Sequence, residues 1–181
     1  MQRDVVAAAQ LTGTPLNDLK QWLAIATARE DAYLEGLLKA ALAMCENFIG
    51  QMPLVQICEE VLPASSNWLA LRTRPVGNLI DVRALDISGA RLPIGYDERE
   101  VQIDADGVLM LRLKRLPGPE RIVARFSAGM AEDWTSLDAP LKQGVLRYAA
   151  HLYRERDGSG EATPPASVAA LWRPYRPLRL T

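Results

Sequence analysis

The chain has 181 residues, of which 49% are hydrophobic and 24% charged, with a formal net charge of -1. A chain of this length and make-up can bury its own core, and its balanced charge excludes a global field that would recruit nucleic acid or a membrane. Two cysteines, Cys45 and Cys58, make neither a disulfide framework nor a zinc site, and no run of about 18 apolar residues offers a membrane span.

The opening "MQRDVVAAAQLTGTP" carries Asp4 and no long apolar run. It does not read as a signal peptide, so a bacterial cytoplasm is the expected place of synthesis. Thr14 and Pro15 open the first helix, expected near 15–26, because a first turn leaves the N–H that proline lacks unpaired anyway. Leu16, Leu19 and Leu23 recur there at helical spacing beside Trp22. The stretch "TAREDAYLEGLLKAALAMCENFIG" predicts a helix over 28–49. Thr27 and Glu30 have capping-box spacing, and Leu34, Leu37, Leu38, Ala41, Cys45, Phe48 and Ile49 make one apolar face. Gly50 then stops the helix and Pro53 prevents its resumption. Both cysteines fall at apolar or strand-like positions and are expected as reduced packing residues.

The period changes over 54–128. "LVQICEEVL", "WLALRTRPV", "LIDVRALDI", "EVQID", "VLMLRLK" and "RIVARFSA" read as strands, parted by the turn signals "PASSN", "VGN", "SGARLP", "DADG" and "LPGPE". Alternation aligns Leu109, Leu111 and Leu113, and separately Val101 and Ile103. Loops too short for crossover helices predict an antiparallel meander. Glu59, Glu60 and the "DERE" at 97–100 read as solvated charge.

Helix returns over 138–156, with Asp138 as the cap candidate and Leu141, Val145, Tyr148, Ala149 and Leu152 on one face. A polar linker, "DGSGEATPP", leads to a short helix near 165–172. The expected fold class is α+β, a helical bundle with an inserted antiparallel β-meander and an extended C-terminal arm. By organisation, 1–53 and 130–163 form a helical core, 54–129 a β-section and 164–181 the arm.

The arm has a physical character of its own. Pro174 and Pro177 fix φ and bias the preceding residues towards extended backbone, so "WRPYRPLRL" predicts polyproline II with three residues per turn. Arg173, Arg176 and Arg179 then share one edge, Pro174, Pro177 and Leu180 a second, Tyr175 and Leu178 a third. Such a strip loses little entropy on docking and suits a partner protein.

Catalytic signatures are missing. His151 is the one histidine and lies on a helix. No GxSxG, P-loop or GxGxxG occurs, and "DADG" at 104–107 lacks the later acids of a calcium loop. No catalytic, cofactor or metal residue is assigned. Two other classes remain beside a structural protein: a binding module whose arm recruits a groove-bearing partner, and an enzyme with a pocket in the β-section.

Three stretches carry a resemblance: "LNDLKQWLAI" with "EDAYLEGLLKAALAMCENFIGQ", the opening "PLVQ" of the strand section, and "LKQGVLRYAAHLYRERDG" with "PPASVAALWRPYRPLRL". Together they resemble the head–tail connector proteins of tailed bacteriophages and of gene transfer agents, over roughly 14–62 and 138–180. The strand section matches only in kind. The resemblance implies an adaptor without enzymatic activity. It forms a homo-oligomeric ring, a dodecamer, beneath the portal protein, extends the DNA channel with transient non-specific DNA contact, and joins a tail-side stopper or terminator protein. It further implies a place in the neck of the finished particle, no membrane, and a portal grip through Trp172, Arg173, Pro174, Tyr175, Arg176, Pro177, Leu178, Arg179 and Leu180.

Overall fold

The computed structural model describes residues 3–155 and 163–177. The fold is α+β and divides into two compact units, Met1–Ala8 with Val55–Met130, and Ala9–Leu54 with Ala131–Thr181.

The helical unit is built from α1 (Thr14–Leu23), α2 (Asp31–Ile49), α3 (Ala139–Arg154) and α4 (Ala166–Trp172). α1 ends at Leu23 because Ala24 turns left-handed. α2 buries Leu34, Leu38, Ala41, Leu42, Cys45 and Ile49, the predicted stripe, and Gly50 terminates it at φ 72°. Its start is later than the capping box implied: helix begins at Asp31, and Glu30 instead accepts a hydrogen bond from the Tyr153 hydroxyl at 2.7 Å. A tertiary partner has taken the side chain that a local cap would have used. α3 turns Leu141, Val145, Leu146, Tyr148, Ala149 and Ala150 into the same core. The Trp134 indole N–H donates to Asp18 at 2.8 Å and ties the approach to α3 onto α1.

Burial pushes the Cys45 thiol up to about 12 from an ordinary 9.0, with Glu46 adding to the effect. The folded chain therefore holds this proton longer than the unfolded chain does. Stability from the group is whole below pH 9 and falls as pH climbs towards 12. Thiol reagent is expected to leave Cys45 untouched in neutral native buffer and to modify it on denaturation. Rapid native labelling would contradict that.

The β-unit holds β1 (Arg3–Ala7), β2 (Gln56–Pro63), β3 (Leu69–Ala70), β4 (Val76–Leu85), β5 (Arg91–Pro93), β6 (Arg99–Ile103), β7 (Leu109–Leu113) and β8 (Arg121–Ala128). All named pairings are antiparallel, as expected, but the order is not a meander. One sheet runs β1-β2-β8-β4-β5 and the other β3-β7-β6. β8 is wedged between β2 and β4 because its run "IVA" is buried and fits a central position with two neighbours. "VGN" is no turn; it lies within β4, where the ladder shifts register between Val76 and Asn78. The N-terminal residues also depart from the expected helical core: Arg3–Ala7 pair with β2 as an edge strand. Leu109, Leu111 and Leu113 are buried as their alternation implied. Val101 and Ile103 stay exposed because β6 is an edge.

Two stretches of charge are structural rather than solvated. Glu60 is buried and accepts from the Arg72 N–H, the Thr73 N–H and the Thr73 hydroxyl. Glu59 pairs with Arg91 at 2.9 Å. In "DERE", Arg99 is buried, donates to the Ile94 carbonyl at 3.1 Å and lies over the Tyr96 ring. "DADG" is the predicted turn, with the Asp104 carboxylate accepting from the Asp106 and Val108 amides.

Candidate docking segment

The segment begins inside its own unit. Trp172 closes α4 with 0% exposure. Its ring packs 5.9 Å from Phe48 and 6.1 Å, edge-on, from Tyr148. Its indole N–H faces the Leu141 carbonyl at 3.4 Å, and its face rests on Gly144 of α3. Trp172 was expected among the docking anchors; in this chain it is a core residue, because a tryptophan of this area gains more from burial than from solvent.

The next three residues also differ from expectation. Arg173–Tyr175 form one 3₁₀ turn, not polyproline II, and Pro174 sits where its missing N–H costs nothing. The pre-proline bias on Arg173 is overridden by two tethers. The Gln51 side-chain amide donates to the Tyr175 carbonyl at 2.9 Å. The Tyr175 hydroxyl bonds the Asp138 carboxylate, and burial together with that negative charge raises the phenol's pKa. Asp138 thus serves Tyr175 rather than capping α3, where no side-chain cap bond forms. Neither Gln51 nor Asp138 could be tied to the tail from sequence, because both lie far from Tyr175 along the chain.

Extended backbone starts at Arg176, with φ -73° and ψ 129°. Arg173, Pro174, Arg176 and Pro177 are exposed, and the Arg176 guanidinium lies 5.3 Å from the Phe48 ring centre. The expected anchors Leu178, Arg179 and Leu180 lie outside the described residues. The structure therefore gathers two arginines and two prolines on a surface pinned from below by Trp172 and Tyr175. This arrangement can present positive charge and flat apolar area to another polypeptide with little loss of backbone entropy.

Elsewhere, His151 is half-buried with its Nε2 3.2 Å from Glu155, one turn on. Among the described residues no three His, Cys, Asp or Glu side chains are grouped to hold a metal, and no helix is long and apolar enough to cross a membrane.

No protein-family model matches the chain, and no curated protein does. Solved structures do. A chain in the neck of an empty gene transfer agent particle, computed with C6 symmetry, aligns with TM-score 0.80 at 24% identity, covering 100% of this chain and 98% of that one. A chain in the neck of the native particle, computed with C12 symmetry, aligns with TM-score 0.77 at 26% identity and the same coverage. A third, in the virion of the native particle, gives 0.75 and 25%, again over 100% and 98%. The likeness to chains of gene transfer agent particles thus extends over the full length of this chain, β-unit included.

Proposed function

We propose that the chain is a structural protein of the neck of a phage-like particle, a connector that assembles as a ring between the portal protein and a tail-side stopper or terminator. The carrying observation is the full-length match to chains from gene transfer agent necks. Those necks were computed with C6 and C12 symmetry, which supports a closed ring, a dodecamer, joined by heterologous contacts between two different faces of each subunit. Such a ring extends the DNA channel and touches passing DNA without reading its sequence. The protein is made in the bacterial cytoplasm and ends in the particle.

The docking segment is the proposed grip on the portal, with Arg173, Pro174, Arg176 and Pro177 as its exposed part, Tyr175 as the pivot beneath them, and Leu178, Arg179 and Leu180 continuing it. Truncation at Thr163 is the wrong test, because it also removes Trp172 from the core. Charge reversal, Arg173→Glu with Arg176→Glu, leaves the core alone. Two interface arginines worth about 1.4 kcal/mol each would weaken portal binding about a hundredfold. The expected result is a normally folded protein and filled heads without tails, counted by electron microscopy. Tailed particles at wild-type yield would overturn the grip.

A further inference from the structure

Independently of the reading above, the sheets of the β-unit end in four edge strands among the described residues, β1, β5, β3 and β6, and these differ in what they offer. β3 and β5 are two and three residues long, and β5 ends on Pro93. Short, proline-marked edges resist further pairing. β1 has five residues, but its ladder shifts register between Val5 and Ala7, and its consecutive valines point to opposite faces. β6 also has five residues, with no proline, no lysine and an unbroken register against β7. Val101 and Ile103 lie opposite Leu111 and Leu109 on one face, and carry that buried apolar row out to the edge, where they are 37% and 45% exposed.

The phase of the ladder fixes which backbone groups face outwards. The Lys114 amide donates to the Glu98 carbonyl, and the Asp104 amide to the Val108 carbonyl. The even-numbered residues of this stretch therefore bond to β7, and the N–H and C=O of Val101 and Ile103 point away from it. A row of such groups beside an apolar row matches an added extended strand. On the other face that strand would run beside Glu98, Glu100, Gln102 and Asp104, three carboxylates and no cation. One strand behind, Arg112 and Lys114 approach Glu100 at 2.7 and 4.0 Å, and Arg115 shares a groove with Glu98. With these three, the buried Arg99, and Asp97 and Asp106 all counted, five carboxylates still exceed four cations. Charge thus adds a modest preference for a basic strand to what the backbone supplies. A second β6 fits poorly. Antiparallel pairing about Val101 would set Glu98 opposite Asp104 twice, and like charges directly opposite are destabilising.

We infer that the free edge of β6 takes up an extended segment of another protein that alternates apolar and basic side chains, added as a further strand beside Val101 and Ile103. The probe is a short synthetic peptide alternating leucine and lysine, titrated into the full chain and followed by amide chemical shifts and hydrogen exchange. One control carries aspartate for lysine, and a second is N-methylated throughout, which removes its backbone donors. Expected are shifts confined to 98–104 and 109–114, and slower exchange at the Val101 and Ile103 amides. The lysine peptide should bind about threefold tighter than the aspartate peptide, and N-methylation should cost about tenfold or more. Val101→Pro removes an outward N–H that no ladder bond uses, so the β6–β7 pairing survives and binding should fall about tenfold. The N-methylated peptide makes the same test on unaltered protein. Undiminished binding of that peptide, unchanged exchange at Val101 and Ile103, tighter binding of the aspartate peptide, shifts elsewhere or no shifts would each overturn the inference. So would self-association by light scattering that Val101→Pro abolishes, since the occupant would then be a second copy.

Discussion

Trp172→Ala is expected to cost about 3–5 kcal/mol of folding stability, the range for removing a fully buried large aromatic. The residue is sandwiched among Phe48, Tyr148 and the α3 backbone, so the cavity left behind has several walls and little means of collapse. Urea unfolding followed by circular dichroism reads this as a lower midpoint. Its partner in the same contact is Gly144. A helix-interior glycine usually gains from becoming alanine, by about 0.5–1 kcal/mol. Here the sign reverses, because a Cβ at 144 would overlap the Trp172 indole nitrogen and stand 2.7 Å from its Cε2. Gly144→Ala should therefore destabilise by about 1–3 kcal/mol as the ring is pushed off its seat. In the Trp172→Ala background the same change should be nearly free or stabilising, since the obstruction is gone. That non-additivity is the signature of direct contact. Additive costs, or a Gly144→Ala protein as stable as wild type, would show that the tryptophan does not sit there.

The second large effect is at Glu60. This carboxylate is 1% exposed and accepts three hydrogen bonds from the segment after β3, at 3.0 Å from the Arg72 amide, at 2.8 Å from the Thr73 amide, and from the Thr73 hydroxyl. Glu60→Ala strands those donors, at about 1–3 kcal/mol for each buried group left unpaired, so a loss of about 3 kcal/mol or more follows. Glu60→Gln keeps one acceptor but turns an NH₂ towards a backbone donor, and should fall between alanine and wild type. Hydrogen exchange separates local from global loss. The Arg72 and Thr73 amides should lose protection first, because the carboxylate is what holds that segment to β2. Wild-type protection at both amides in Glu60→Ala would mean that the bonds are not what orders the loop.

Much of the helical unit was legible because its information is local. The apolar stripe of α2 repeats at helical spacing over nineteen residues, and Gly50 marks its end with a left-handed turn that few other residues take. The strands β2, β6, β7 and β8 also fall within two residues of their expected limits, since alternation and flanking turn residues act over short distances. The form of the C-terminal segment was legible in part. Proline and arginine spacing identified an exposed, basic terminal surface, and Arg173 and Arg176 lie on it. The same local logic assigned Trp172 to that surface and polyproline II to Arg173–Tyr175, and both failed for one reason. The gain from seating an indole on Gly144 and from the bonds of Tyr175 to Gln51 and Asp138 comes from residues 28 to 124 positions away, and local propensity carries no record of them.

By itself, then, the sequence determined most of the stretches that are helix or strand, where most of them stop, and that Arg173 and Arg176 belong to an exposed basic surface; each rests on periodicity or on backbone restrictions acting within a few residues. Only the tertiary structure decided that β8 sits between β2 and β4, that Arg3–Ala7 is a strand at all, that Glu60 is a buried acceptor, and how far the tail is drawn into the core. Those outcomes depend on which distant partners can satisfy a buried amide, carboxylate or ring at once. That competition is settled only when the whole chain is packed.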